Sequence, residues 1–251
     1  MAMLVLLAPT AWGQGTAVLH SGEAVFTISV RGSIGVRFSG SCLSIASNGA
    51  TARADLKGTV PARFDIAGKE LALIVQNQSA GAVPEVRLDS SGRLLLDERS
   101  PNSQAGSWLE VEIEKNGAPV KRQRTNAPYG VVSLKTQSPP GGSAINTEFQ
   151  VEGGRYALVT LTSETGDTEQ QLVPVPFDRV IYPPKGSIVS LTAQKVRVTR
   201  PDPAHADGTI EVMDDGRLGE LSVLIRINGQ PIGSAKTSEP FGVASTTVKV
   251  P

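Results

Sequence analysis

Alternating apolar and polar residues recur in short runs along the chain and predict β-strands. In the clearest run, LEVEIEK from residue 109, leucine, valine and isoleucine alternate with glutamates. A period of two gives a strand one dry face and one wet face. Similar runs, separated by glycine, proline and polar turns, follow one another about every ten residues, as in a β-sandwich. We therefore predict an all-β fold.

The chain also contains an internal repeat. Residues 109–136 align without a gap to residues 221–248 at a constant offset of 112, and 11 of these 28 positions are identical. Unrelated segments of ordinary composition would share about two. The copies share apolar strand positions and turn residues, but they differ at polar positions, where KRQR from residue 121 aligns with GSAK from residue 233. The repeat predicts one fold used twice, with any function in the parts that differ.

Turn chemistry is the second feature that the copies share. Asn-Gly provides positive φ at both central positions of a tight hairpin, and proline restricts φ just after that turn. The sequence Pro-aromatic-Gly then precedes the next strand. The shared turn residues are Asn116, Gly117, Pro119, Pro128, Tyr129 and Gly130 in the first copy, and Asn228, Gly229, Pro231, Pro240, Phe241 and Gly242 in the second. We interpret them as a structural repeat signature rather than as a binding site.

Weaker similarity extends the repeat towards the N-terminus. Val60-Pro61 aligns with Val173-Pro174 at an offset of 113, and FTISVRG from residue 26 resembles FQVEGG from residue 149. Each unit then has about 110 residues, an ordinary domain size. We predict two tandem immunoglobulin-like β-sandwich domains, residues 20–137 and 146–251, joined by a Pro/Gly linker at residues 138–145. A pair of small barrels is the alternative.

The first residues predict export. MLVLLA from residue 3 is a short apolar run, followed by a proline and small residues up to Gly15, as in a bacterial signal peptide. We expect residues 1–15 to be a signal segment and the protein to be periplasmic or secreted; an ordinary N-terminus is the alternative. The apolar run is too short to span a bilayer.

Charge and cysteine content narrow the function classes. The 24 basic and 24 acidic residues balance, which does not favour nucleic-acid binding. The local cluster of Lys121, Arg122 and Arg124 predicts a solvated strand, with an anionic partner as the alternative. The single cysteine, Cys42, cannot form an internal disulfide, and we expect it to be a buried core thiol.

Residues that could carry catalysis are sparse. His20 and His205 have no further ligands at metal-binding spacing, and the sequence contains neither a GxSxG nucleophile nor a phosphate-binding loop. Asp214 and Asp215 precede glycine and read as a hairpin turn. The alternative, a calcium site, would use Asp202, Asp207, Asp214 and Asp215. We predict no enzymatic activity, no cofactor and no metal site.

The order of motifs in residues 148–248 resembles a known family. These motifs are VEG at residue 151, VPVPF at residue 173, SIVSLTAQ at residue 187 and LSVLIRING at residue 221. Together they resemble the extracytoplasmic domain of the mycobacterial small membrane protein (MmpS-like) family, and residues 24–136 do so less well. The resemblance implies a β-sandwich outside the cytoplasm and an accessory role beside large lipid or siderophore exporters.

Three functions stay open from the sequence. The first is a non-enzymatic binding or scaffold protein whose partner is another envelope or cell-surface protein. The second is an accessory component of an envelope exporter or cell-surface assembly. The third is a carbohydrate-binding module, which would need exposed rings from Trp108, Tyr129, Tyr156 or Tyr182. Exposed edge strands could also pair two copies of the chain.

Overall fold

The structure is a computed structural model, and it describes residues 23–78, 85–89, 91, 94–95, 108–126, 129–136, 141–163, 167–202 and 209–251. Every regular element in these ranges is a β-strand, which confirms the predicted all-β fold. The expected signal segment, residues 1–15, lies outside the described residues. We refer to described residues 23–136 as the first part of the chain and to residues 141–251 as the second part.

The strands described in the first part form two four-stranded antiparallel sheets and one short hairpin. Their bounds are β1 (Ala24–Gly32), β2 (Arg37–Ile45), β3 (Thr51–Thr59), β4 (Ala62–Gly68), β5 (Glu70–Asn77), β6 (Glu85–Leu88), β7 (Leu94–Leu95), β8 (Leu109–Lys115), β9 (Ala118–Thr125) and β10 (Val131–Lys135). The first outer sheet has the order β4-β1-β8-β9, and the first inner sheet has the order β10-β5-β2-β3. The hairpin consists of β6 and β7.

These two sheets face each other across one apolar core, as expected of a sandwich. The dry face of β8 points into it, and Leu109, Val111 and Ile113 are fully buried. Phe38 from the inner sheet meets Phe64 from the outer sheet edge to face, with ring centroids 6.1 Å apart. The period-two pattern of the sequence therefore identified the buried face of β8 correctly.

The second part repeats this arrangement. Its strands are β11 (Thr147–Glu152), β12 (Tyr156–Thr162), β13 (Thr168–Pro174), β14 (Phe177–Ile181), β15 (Ile188–Lys195), β16 (Arg197–Pro201), β17 (Ile210–Asp214), β18 (Leu221–Ile227), β19 (Gln230–Thr237) and β20 (Val243–Lys249). The second outer sheet is β14-β11-β18-β19, and the second inner sheet is β13-β12-β15-β20. The two parts have the same strand order. Each strand of the first part has a counterpart in the second whose number is higher by ten, and counterpart strands have counterpart neighbours.

The strand registers correct the weaker end of the sequence alignment. Ile28 pairs with Ile113, and Phe149 pairs with the repeat counterpart Ile225. The counterpart of Phe149 is therefore Ile28, and the expected match with Phe26 is wrong by two residues. A shift by two keeps a strand's dry face, so the apolar pattern alone could not distinguish the two registers.

The same correction applies to the Val-Pro motif. Val30 pairs with Ala62, and its counterpart Val151 pairs with Phe177. Val60-Pro61 thus corresponds to Val175-Pro176, not to Val173-Pro174, and both bonds are cis. The segment VPVPF contains two Val-Pro pairs, so the choice depended on strand pairing.

The hairpin turns match the sequence prediction. Asn116 and Gly117 have φ of 49° and 80°, and Asn228 and Gly229 have φ of 50° and 78°. Tyr129 and Phe241 also have positive φ, 57° and 55°, a conformation that bulky residues rarely adopt. The aromatic-Gly segments that lead into β10 and β20 therefore share a backbone shape that the sequence pattern did not predict.

A fifth sheet joins the two parts of the chain. This joining sheet has the order β17-β16-β6-β7, and its central strands β6 and β16 run parallel. Beside it lies an apolar cluster of Val86, Leu88, Leu158, Val196 and Val198. The two parts thus share a sheet and a core cluster, and the expected division into two separate domains stays a prediction.

Cys42 gives a testable consequence of this packing. It is buried in β2, as expected, and burial raises the pKa of its thiol from 9.0 to about 12. We expect a thiol reagent at pH 8 to label native Cys42 at least about a hundredfold more slowly than in urea, because labelling requires opening of the structure. The pKa of this thiol is higher in the folded chain than in the unfolded chain, so the folded chain keeps the proton at pH values at which the unfolded chain loses it. The contribution of Cys42 to the free energy of unfolding is therefore lost as the pH rises from 9.0 towards about 12. Equal labelling rates would contradict the burial.

Candidate binding groove between the inner sheets

The two inner sheets contact each other through small polar side chains. Ser41 on β2 forms hydrogen bonds with Ser245 (3.2 Å) and Thr247 (2.9 Å) on β20, and all three residues are buried. Gln76 on β5 donates from Nε2 to Oε1 of Gln194 on β15 at 2.7 Å. Buried polar groups are costly unless they are hydrogen-bonded, so these contacts hold the sheets in one arrangement.

At one end of this contact the sheets separate and leave a groove of about 480 Å³. The first inner sheet lines one wall with β2 and β3, and the second part lines the other with β19, β20 and the turn between them. We call this the inter-sheet groove. Its charged side chains are Arg37, Asp55, Lys57, Lys236 and Glu239, and its hydroxyl side chains are Ser39, Thr59, Thr237, Ser238 and Ser245.

Most of the charged groups in the groove have no ionic partner. Lys236 pairs with Glu220 at 3.1 Å. For Arg37, Asp55, Lys57 and Glu239, no ion pair is formed with any other described residue. Two cations and two anions that line the groove thus have no ionic partner among the described residues.

Repeat counterparts show that the wall formed by β2 and β3 has no polar equivalent in the second part. Ser39 pairs with Gln76 and with Lys57, whereas Leu158 pairs with Gln194 and with Leu172. Gln76 lies opposite Val131, and Gln194 lies opposite the repeat counterpart Val243, so the two glutamines are counterparts. It follows that Ser39 corresponds to Leu158 and Lys57 to Leu172.

The two sets of counterparts differ in their exposure to solvent. Arg37, Ser39 and Lys57 line the open groove, whereas Tyr156, Leu158 and Leu172 contribute to the apolar cluster beside the joining sheet. These three positions of the fold are thus polar and open to the groove in the first part and are covered by apolar packing in the second.

The groove is bounded on one side by an arginine that contacts the second part directly. Arg53 on β3 donates from its guanidinium to the backbone carbonyl of Ile232 on β19. On β3, Arg53, Asp55 and Lys57 alternate with residues that face the core, so all three lie on the same face. This contact connects β3 with β19 beside the groove.

The turn residues predicted from sequence lie outside this site. Asn116, Gly117 and their counterparts Asn228 and Gly229 form the outer-sheet hairpins, with Pro119 and Pro231 opposite Glu114 and Arg226 at register shifts. Pro128 lies outside the described residues. Tyr129, Gly130, Pro240, Phe241 and Gly242 belong to the loops before β10 and β20 and do not line the groove.

The basic cluster on β9 is exposed, as expected of a solvated strand, and is largely engaged within the first outer sheet. Arg122 pairs with the buried carboxylate of Glu110 at 2.7 Å. This contact raises the pKa of Arg122 through a hydrogen bond and the opposite charge. Arg124 stacks over the ring of Trp108, 4.3 Å from its centroid.

Several of the acidic and aromatic candidates also have structural partners. Asp214 accepts hydrogen bonds from the backbone of Arg155, Tyr156 and Gly216. The acidic pair stands at the end of β17, and the next strand, β18, belongs to a different sheet. The expected hairpin turn is therefore wrong, because this segment connects two sheets. Asp207 and His205 lie outside the described residues, and within them no cluster of three potential metal ligands occurs. Among the four aromatic candidates, Tyr129 and Tyr156 pack against the apolar cluster, and Tyr182 is 66% exposed.

Comparison with known proteins does not assign the chain to a family. No protein family model, no curated protein and no solved structure matches it. Across the described ranges, the chain forms no helix long and apolar enough to cross a membrane.

Proposed function

We propose that the protein is a non-enzymatic binding or scaffold protein that acts outside the cytoplasm and binds its partner in the inter-sheet groove. The observation that carries this proposal is the contrast between counterparts. Arg37, Ser39 and Lys57 stay solvated where Tyr156, Leu158 and Leu172 are packed. Apolar residues at these positions demonstrably fit the fold, so packing alone does not require charge there.

The chemistry of the groove favours a polar ligand that carries both charge signs. Arg37 and Lys57 offer cations, and Asp55 and Glu239 offer anions, within one groove of about 480 Å³. A ligand with charges of only one sign would lie next to groove residues of the same charge, and this repulsion is unfavourable. An extended peptide segment with both acidic and basic side chains satisfies both pairs.

Strand β3 supplies a second reason to favour a peptide. It lies at the edge of the first inner sheet, and β2 is the one described strand with which it pairs. Backbone groups at a sheet edge can bind an extended segment through strand addition, while alternate side chains provide specificity. The partner we propose is therefore an extended, mixed-charge segment of another envelope or cell-surface protein.

Charge reversal in the groove tests this proposal. We expect the wild-type chain to bind a subset of peptides from an immobilised library of ten-residue sequences, enriched in those that carry both charge signs. The double variant Arg37→Glu/Lys57→Glu should bind these peptides at least about tenfold more weakly, because two cationic contacts become repulsive. Binding is measured by surface plasmon resonance at two salt concentrations, since exposed ionic contacts weaken with salt.

Arg226→Glu is the matched control for that experiment. Arg226 lies on the second outer sheet, where its Nε donates to Gln150 at 3.0 Å, so reversing its charge leaves the groove intact. If the groove variant and this control bind every library peptide with equal affinity, or if the wild-type chain binds none of them, the proposed site is wrong.

A further inference from the structure

The joint between the two parts brings counterpart strands together. In the parallel ladder of β6 and its counterpart strand β16, Val86 lies opposite Val198. The bonded glutamines Gln76 and Gln194 are also counterparts. Contacts between counterparts are the hallmark of a two-fold symmetric dimer, here within one chain.

This joint has the components of a complete protein–protein interface. One apolar cluster combines Val86 and Leu88 of the first part with Leu158, Val196 and Val198 of the second. Another combines Leu43, Ile45 and Ala72 with Ile188. The hydrogen bonds of Ser41 and Gln76 add polar contacts. None of these groups belongs to the expected linker.

One pair in the ladder breaks the symmetry in charge. Glu85 lies opposite Arg197 in the ladder. Its carboxylate accepts a hydrogen bond from Oγ1 of Thr199 on β16, and it forms an ion pair with Arg87 on its own strand at 3.1 Å. The Nε of Arg197 is buried and has no hydrogen-bond partner among the described residues. If two first parts paired in the same register, Glu85 would face a second Glu85, and like charges across an interface are unfavourable.

We infer that the joint is a self-sufficient interface that selects the pairing of a first part with a second part, and that the covalent connection between them is dispensable for assembly. The partner that each part fits is its complementary half, from the same chain or from another copy. This inference is independent of any ligand in the inter-sheet groove.

Cutting the folded chain tests self-sufficiency. A protease recognition sequence is inserted after Gly141, which is exposed and has open space around its Cα, and the purified full-length protein is cleaved there. We expect both fragments to elute together near the mass of the intact 26.3-kDa chain at about 1 μM. Separate elution of the fragments, or their aggregation after cleavage, would overturn the inference.

Charge variants of the same cleavable chain test selectivity. Arg197→Glu should weaken association of the cut fragments at least about tenfold, because it places two acidic residues opposite each other. Adding Glu85→Arg to that variant should restore part of the loss, whereas Arg226→Glu on the second outer sheet should leave association unchanged. Circular dichroism of each uncut variant verifies that it folds. If Arg197→Glu and Arg226→Glu give the same dissociation constant, or if the second substitution restores nothing, the ladder charges do not select the pairing.

Discussion

Replacing Phe149 by alanine is expected to lower the free energy of unfolding by about 3–5 kcal/mol. Phe149 is fully buried in the core of the second part, where it pairs with Arg179 and Ile225 across two neighbouring strands. Only 4% of the residues are aromatic, so this core depends on smaller aliphatic side chains that cannot fill the space. Urea unfolding followed by circular dichroism measures the loss.

The adjacent residue provides the control for this substitution. Gln150 is on the opposite face of β11, where it accepts a hydrogen bond from Arg226. We expect Gln150→Ala to cost no more than about 1 kcal/mol, which is the usual net value of one partly exposed hydrogen bond. Similar losses for the two substitutions would mean that β11 does not pack with the face that the structure assigns to the core.

The second large effect is expected at Gly40. We expect Gly40→Ala to destabilise the protein by about 3 kcal/mol or more, at the upper end for overpacked positions. A Cβ on Gly40 would lie 1.9 Å from the carbonyl oxygen of Ile74, a backbone atom of the paired strand. No rotamer change relieves such a contact, so the first inner sheet must distort. Thermal and urea unfolding both measure the change.

Gly141→Ala is the matched control, because a Cβ at Gly141 meets nothing within 4 Å. Its effect should stay within about 0.5 kcal/mol. The test is informative because the counterpart of Gly40 is the fully buried Val159, so a repeat-based exchange would introduce a larger side chain. If Gly40→Ala is as mild as the control, the strand spacing described for β2 and β5 is wrong.

Local features of the fold were predictable because their causes are local. The alternation in LEVEIEK identified the buried face of β8, and Asn116-Gly117 specified positive φ through residue type alone. By contrast, an aromatic residue type does not predict the positive φ of Tyr129 and Phe241. In the sequence, the recurrence of the Pro-aromatic-Gly segment is the one sign of this shared conformation.

The joining sheet could not be predicted from the sequence, because the strands that form it are far apart along the chain. EVRL from residue 85 and RVTRP from residue 197 are short segments without a long apolar pattern, and they pair across 112 residues. Strand pairing at that separation is a non-local contact, which no local sequence pattern encodes. The prediction of two tandem units therefore did not include the surface that joins them.

The inter-sheet groove was missed for a related reason. TARADLKGT from residue 51 shows an alternating charged face, but a wet face on one strand does not reveal whether another sheet lies above it. The alignment that would match Lys57 with Leu172 is also too diverged to recognise without strand registers. The sequence offered the basic cluster at Arg122 and Arg124 as the alternative site for an anionic partner, and in the structure Glu110 and Trp108 contact these two arginines.

The charges along β3 have a further consequence for the solubility of the protein. A nine-residue edge strand invites edge-to-edge pairing with other chains, and charged side chains are a common protection against it. Arg53, Asp55 and Lys57 provide that protection on the strand that also borders the groove. Neutralising them would expose an aggregation-prone edge and would also remove charges to which the proposed ligand binds, so we expect a change in ligand binding on this strand to change solubility as well.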